Sequence, residues 1–223
     1  MQKLVQGVRR FQDSVFQDYQ VIFERLRSGQ RPQTLFITCS DSRVVPGLLT
    51  QTNPGDLFVL RSAGNVVPHY EADGKSSDRA AEATIEYAVE ELQVRDVIIC
   101  GHSHCGAMGA ILHPNQAARL PAMQRHLATV SVHYRLAELD RDGVNDPASR
   151  LHAIVEENVL VQMANLATHP SVIQARAKAQ LNVHGWIYHF ESGRVDSYCK
   201  TRSKFVPLST WQAQTSSKQQ QAA

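Results

Sequence analysis

The sequence predicts an α/β fold: a mainly parallel β-sheet flanked by helices. Short apolar runs recur without polar alternation, helical patterns stand between them, and one long amphipathic segment precedes them all. An unbroken run of Val, Ile, Leu and Phe suits a strand covered on both faces, as in parallel sheets. Strands separated by helices imply βαβ crossovers. A length of 223 residues fits one such domain.

The first element is helical. Leu4, Val8, Phe11, Val15, Tyr19, Ile22 and Leu26 recur every three or four positions. They lay one apolar stripe along a helix of about 25 residues, ended near Gly29. Such a helix ahead of the first strand needs something to lie against, its own domain or a partner subunit, and the partner is the favoured expectation. Residues 35–39, 57–60 and 97–100 read as strands covered on both faces. A fourth run, 181–190, is followed by a turn at Ser192-Gly193 that leads into an edge strand. The intervening helices are 78–92, with Ile85, Ala88, Val89 and Leu92 inward, and 149–167, with Ile154, Val155, Val159, Met163 and Leu166 inward. Residues 68–77 form a polar loop. Residues 209–223, rich in Gln and Ser around an isolated Trp211, read as a flexible tail, leaving 1–208 as a single domain.

Composition narrows the function. With 43% hydrophobic residues, 20% charged residues and a formal net charge of +2, the chain has a core and a mixed surface. No Lys/Arg block with interleaved aromatics points to nucleic acid or an anionic membrane. No run approaches the roughly 18 apolar residues of a membrane helix. Residues 1–10 carry charges and glutamines where a signal peptide would be apolar, so the expected location is cytoplasmic. Four cysteines are too few for a disulfide scaffold at this length, and clustered ones read as metal ligands or catalytic thiols. Cys100 and Cys199 read as small strand residues.

Two segments carry chemistry: Cys39-Ser40-Asp41-Ser42-Arg43 and Gly101-His102-Ser103-His104-Cys105-Gly106. Each begins where a predicted parallel strand ends, the rim at which α/β sheets build ligand sites. Two Cys and one His from two strand ends would make a three-ligand Zn²⁺ site with a fourth position left for water or another ligand. Asp41 and Arg43 can form a bidentate pair in a turn leaving a strand. A clamped carboxylate could orient a metal-bound group, or swing in as the fourth ligand. A small buried cysteine and a surface salt bridge are the plain alternatives.

Together these segments resemble the paired signature of β-class carbonic anhydrases. The likeness continues through Arg61-Ser62-Ala63-Gly64-Asn65, Ile85-Glu86-Tyr87-Ala88, Glu156-Glu157-Asn158-Val159 and His184-Gly185-Trp186-Ile187-Tyr188, and spans roughly residues 1–207. It looks closest to the bacterial and cyanobacterial branch, carboxysomal members included, which adds the carboxysome as a second location. The resemblance implies reversible hydration of carbon dioxide to bicarbonate by zinc-bound hydroxide oriented by an Asp41–Arg43 dyad. It implies one Zn²⁺ per subunit on Cys39, His102 and Cys105, with His104 not a ligand. Gln30, Phe58, Tyr87 and Gly106 would line the substrate pocket, some from the neighbouring subunit of a homodimer or a higher even oligomer, tetramer or octamer. Phe36 stands where a bicarbonate-inhibited branch has tryptophan. The open, plant-like type is therefore expected, with Asp41 a fourth ligand only in a closed form; Arg61 and Tyr188 do match that inhibitory site. Ala63, in place of a larger valine, should widen the pocket. His69 and His104 are candidate proton shuttles. The rivals are a carbon disulfide or carbonyl sulfide hydrolase on the same scaffold and a non-catalytic zinc-stabilised assembly protein.

Overall fold

The computed structural model describes residues 1–72, 76 and 78–210. The tail from 211 onward, Trp211 with it, and part of the 68–77 loop lie outside these residues. Six strands form one sheet: β1 (Thr34–Cys39), β2 (Leu57–Ser62), β3 (Asp96–His102), β4 (Asn182–His189), β5 (Arg194–Cys199) and β6 (Lys204–Pro207). Their spatial order is β2-β1-β3-β4-β5-β6. The first four are parallel, and β5 and β6 add antiparallel at one side. The α/β reading and its mainly parallel sheet hold.

The helices are α1 (Gln2–Arg10), α2 (Phe16–Leu26), α3 (Pro46–Thr50), α4 (Arg79–Glu86), α5 (Gly106–Leu112), α6 (Pro121–Leu127), α7 (His133–Arg141), α8 (Pro147–Leu166) and α9 (Pro170–Ala177). Local chemistry starts two of them where the apolar periodicity begins. Asp78 accepts a hydrogen bond from the Ala81 amide at the head of α4, and Asp146 from Ser149 at the head of α8, where Pro147 occupies the first turn. A π-helical turn, Tyr87–Glu91, prolongs α4 to the length the periodicity predicts.

Alternation along β1 divides the core. Leu35, Ile37 and Cys39 face the larger cluster, with Ile154, Val155, Val159 and Leu166 of α8, while Phe36 faces a smaller one with Ile98 and Cys100. α8 sits so close to the sheet that a Cβ on Gly101 would lie 2.8 Å from Val159 Cγ2. β2 departs from expectation. It is the sheet edge, half-buried along its length, with Val59 exposed, so a run of apolar residues did not here mean two covered faces. β6 and the short helices α5, α6 and α7 were not anticipated. Each is too short for its periodicity to register.

The N-terminal helix forms as read, as α1, a π-helical turn (Phe11–Val15) and α2. None of its side chains is buried, and Leu4, Val8 and Val21 are more than half exposed. Its C-terminal end meets the domain where Leu26 lies against Gly55. Among the described residues, no helix is long and apolar enough to cross a membrane.

Candidate metal site

Cys39 ends β1 and His102 ends β3, on adjacent parallel strands. The polar groups at these ends fix the backbone from several sides. Thr38 Oγ1 donates to the Cys100 carbonyl, tying β1 to β3 just below the site. Arg61, from β2, donates to the carbonyls of Cys39 and Asp41 at 2.8 Å each, so the chain leaving β1 is gripped at two points. After His102 the chain turns through His104 in the left-handed region (φ 51) and reaches Cys105, the residue that heads α5. His102 Nδ1 lies 2.8 Å from the Ser103 carbonyl, which turns Nε2 inward.

The Cys39 sulfur, the Cys105 sulfur and a His102 nitrogen lie within 4.8 Å of one another, all three residues buried. His102 Nε2 has no hydrogen-bond partner. A buried polar nitrogen without a partner is costly unless something occupies the space before it. The Cys39 thiol is pulled down to about 4, chiefly by the neighbouring Cys105 thiol and further by the Gly64 amide. The Cys105 thiol is pushed up by the neighbouring Cys39 sulfur and by burial. Two sulfurs so placed hold one proton between them unless a cation intervenes. An orphaned imidazole nitrogen beside a half-ionised thiol pair is a donor set that fits Zn²⁺.

Asp41 stands at the rim, its Oδ2 3.9 Å from His102 Nε2. Arg43 Nε donates to Asp41 Oδ1 at 2.9 Å and Arg43 Nη2 to Oδ2 at 2.7 Å, while the Arg43 amide also donates to Oδ1. These bonds hold the Asp41 carboxyl well below the usual carboxylate range, with Arg43 the first cause. Asp41 is therefore an acceptor only.

A buried amide network on α8 supports the site, and the sequence reading missed its role. The Gly64 amide donates to Cys39 Sγ at 3.3 Å. Gly64 has φ 77, and a Cβ there would lie 3.0 Å from Ala107 Cβ and Met108 Cε, so only glycine fits. Asn158 Nδ2 holds the Gly64 carbonyl at 3.0 Å, Gln162 Nε2 holds Asn158 Oδ1, and Gln162 Oε1 receives the Val67 amide. From the other side, His126 Nε2 lies 2.8 Å from the Ala63 carbonyl. A signal was available: Asn158, Gln162 and Asn165 interrupt the inward apolar stripe of the 149–167 helix at helical spacing. Asn158→Ala strands a buried carbonyl and opens a small void. It should destabilise the fold by about 2–4 kcal/mol, read as a lowered urea midpoint; an unchanged midpoint refutes this role for the network.

Other residues singled out in the sequence lie apart from the cluster. Phe58 is opposite Leu35, whereas Cys39 is opposite Ser62, so four residues at about 3.3 Å each separate Phe58 from the site along the strand. Tyr87 pairs with Phe58, ring centroids 6.0 Å apart, and is half exposed. Gln30 is exposed on the loop after α2 and borders a cleft lined by Ile22, Leu26 and residues 53–56. Gly106 opens α5 beside Cys105, with open space where a side chain would be. His104 is exposed, and its ring packs 5.6 Å from that of Phe190, a residue the sequence gave no reason to select. His69 is exposed on a separate segment.

The family model described as carbonic anhydrase matches residues 34–195. A carbonic anhydrase of Pseudomonas aeruginosa is 44% identical over 93% of this chain and 92% of its own. One from Synechocystis is 40% identical over 92% of this chain and 74% of its own. Among solved structures, the β-carbonic anhydrase CcaA superposes with a TM-score of 0.86 at 39% identity, covering 93% of this chain and 91% of that one. A tetrameric β-carbonic anhydrase of Sordaria macrospora gives 0.77 at 29% identity, covering 88% and 95%.

Proposed function

This chain belongs to the β-class carbonic anhydrases, and from that membership we propose that its Cys39–His102–Cys105 cluster holds one Zn²⁺ per subunit for reversible hydration of carbon dioxide to bicarbonate. The observation that carries the reading is the orphaned His102 Nε2 facing two buried sulfurs, with a clamped carboxylate 3.9 Å away. When bound, Zn²⁺ would act as a Lewis acid that makes water a nucleophile near neutral pH. Everything else is done by this chain's residues. Cys39 and Cys105 supply charge, and Arg61 and the Gly64 amide keep the Cys39 end of β1 in place. Asp41, acceptor-only, takes a hydrogen bond from the reacting oxygen and so fixes which lone pair faces carbon dioxide. Arg43 keeps Asp41 turned to that task, which favours the open form; Asp41 would become a fourth ligand only by giving up its side-chain bonds to Arg43. The test is stopped-flow hydration of carbon dioxide on protein whose zinc content is measured in the same sample. Zinc-loaded protein with no activity above buffer would overturn the reading.

The pocket is completed between subunits on this proposal. Phe58 lies four residues along the strand from the cluster with Tyr87 beside it and Gln30 borders the cleft at residues 53–56, while the apolar stripe of α1 and α2 is bare. Both are accounted for by a homodimer in which residues 1–208 form the catalytic unit, extended to a tetramer or octamer. Tetrameric relatives favour the assembly. The working location is the cytoplasm, with the carboxysome as the alternative. Charging the stripe by Leu4→Glu, Val8→Glu and Phe11→Glu should leave each subunit folded yet reduce the assembly to smaller species, read by light scattering after size exclusion, and lower activity with it. An unchanged mass would remove the stripe from the interface.

A further inference from the structure

Arg43 is an exposed side chain asked to hold one geometry. Its side chain is 45% accessible, and an exposed ion pair alone does little against the rotamer freedom of arginine. Something else must keep the guanidinium in place. Two contacts do so beyond Asp41: the His104 carbonyl, which accepts from Arg43 Nη2 at 3.1 Å, and the ring of Phe190, whose centroid lies 4.3 Å from Arg43 Cζ. Phe190 is the first residue after β4. It is itself held, because its amide donates to Ser103 Oγ at 3.3 Å and Ser103 Oγ donates to Glu191 Oε2 at 2.5 Å. The ring is thereby fixed against the His102–Cys105 turn, with the His104 ring 5.6 Å and the His102 ring 6.4 Å away.

We propose that Phe190 is a positioning residue for the reaction: its face is the platform that keeps Arg43 in the pose that grips Asp41, and the Ser103–Glu191 hydrogen bond sets the platform's height. The proposal deepens the carbonic anhydrase reading of the same site and rests on it. Phe190 touches no reactant. It acts by excluding the rotamers in which Arg43 swings into solvent and leaves the carboxylate free to turn. The ring serves this purpose through its negative π-face as well as its shape, so an aromatic residue should replace it where an aliphatic one of similar bulk does not.

The experiment compares zinc-loaded Phe190→Leu and Phe190→Tyr. The expected result is that Phe190→Leu keeps its zinc and melting temperature, loses about two- to fivefold in kcat/KM as suits a cation–π contact at an exposed site, and is rescued in Phe190→Tyr. In nitrogen-15 relaxation the Arg43 Nε–H should become more mobile and exchange faster with solvent in Phe190→Leu, and not in Phe190→Tyr. In an Arg43→Gln background, Phe190→Leu should cost nothing further. The proposal is overturned if the Arg43 Nε–H is no more mobile in Phe190→Leu, or if the rate loss is the same in the Arg43→Gln background. Failure of the parent reading looks different: wild-type protein would then be inactive on carbon dioxide, while the mobility of the Arg43 Nε–H still decides whether Phe190 holds it.

Discussion

Cys39→Ser is expected to empty the metal site and to reduce carbon dioxide hydration on the order of a thousandfold. The Cys39 thiol is pulled well below its ordinary value, chiefly by Cys105, so the site favours a thiolate ligand. A serine hydroxyl in its place would remain protonated and would meet a soft cation with a hard oxygen. The same neighbours that lower the Cys39 thiol, Cys105 and the Gly64 amide, would then surround a neutral group. The sign of the proton balance follows. In the metal-free protein the two adjacent sulfurs lower one thiol and raise the other, so the pair shares one proton at neutral pH. Loading zinc should therefore release about one thiol proton from the pair, measurable by calorimetry in buffers of differing ionisation enthalpy. Zinc per chain by elemental analysis is the primary readout, with Cys199→Ser as the control that keeps its metal. Full zinc occupancy in Cys39→Ser would dismantle the ligand assignment.

Much of this arrangement could be read from residue order, and the reasons are specific. The strands 35–39 and 97–100 announced themselves because a buried parallel strand must be apolar at successive positions, and the cysteine and histidine segments followed directly. That placed Cys39 and His102 at the ends of two parallel strands, and the sheet order makes those strands neighbours. What stayed hidden was chemistry made by residues distant in sequence and unremarkable in kind. Phe190 became relevant only through its approach to Arg43, and His126 only because α6 delivers it to the Ala63 carbonyl. Asn158 and Gln162 lay in plain view, yet an amide in a helical stripe gives no hint of which carbonyl it will find. β2 misled for a different reason. Its apolar run matches a strand with both faces covered, but as the sheet edge it leaves Val59 exposed. If a second subunit supplies the covering, as proposed above, the sequence was describing the assembly and not the chain.

Asp41→Asn should leave zinc content and fold intact while lowering kcat on the order of a hundredfold, the size expected when a preorganised electrostatic partner of the reacting group is removed. Arg43 presents two parallel donors, Nε and Nη2, and the carboxylate answers with two acceptors. An amide answers with one. Either its NH2 group faces Arg43 and breaks the fork, or it faces the reacting oxygen and offers a donor where an acceptor is needed. The pH dependence distinguishes this role from titration. Arg43 holds the Asp41 carboxyl below the usual range, so it is ionised throughout the working range and its depressed pKa matters only in strong acid. Asp41 therefore sets no limb of the pH–rate curve, and Asp41→Asn should lower the plateau without moving the curve along the pH axis. A stopped-flow profile from acid to alkaline pH, taken on zinc-loaded protein, checks both statements. Because Asp41 and Arg43 act as one unit, the double variant Asp41→Asn, Arg43→Gln should be little worse than Asp41→Asn alone. Additive losses would show that the two side chains serve the reaction separately, and a fully active, zinc-bound Asp41→Asn would leave the reacting oxygen to be oriented by some other group.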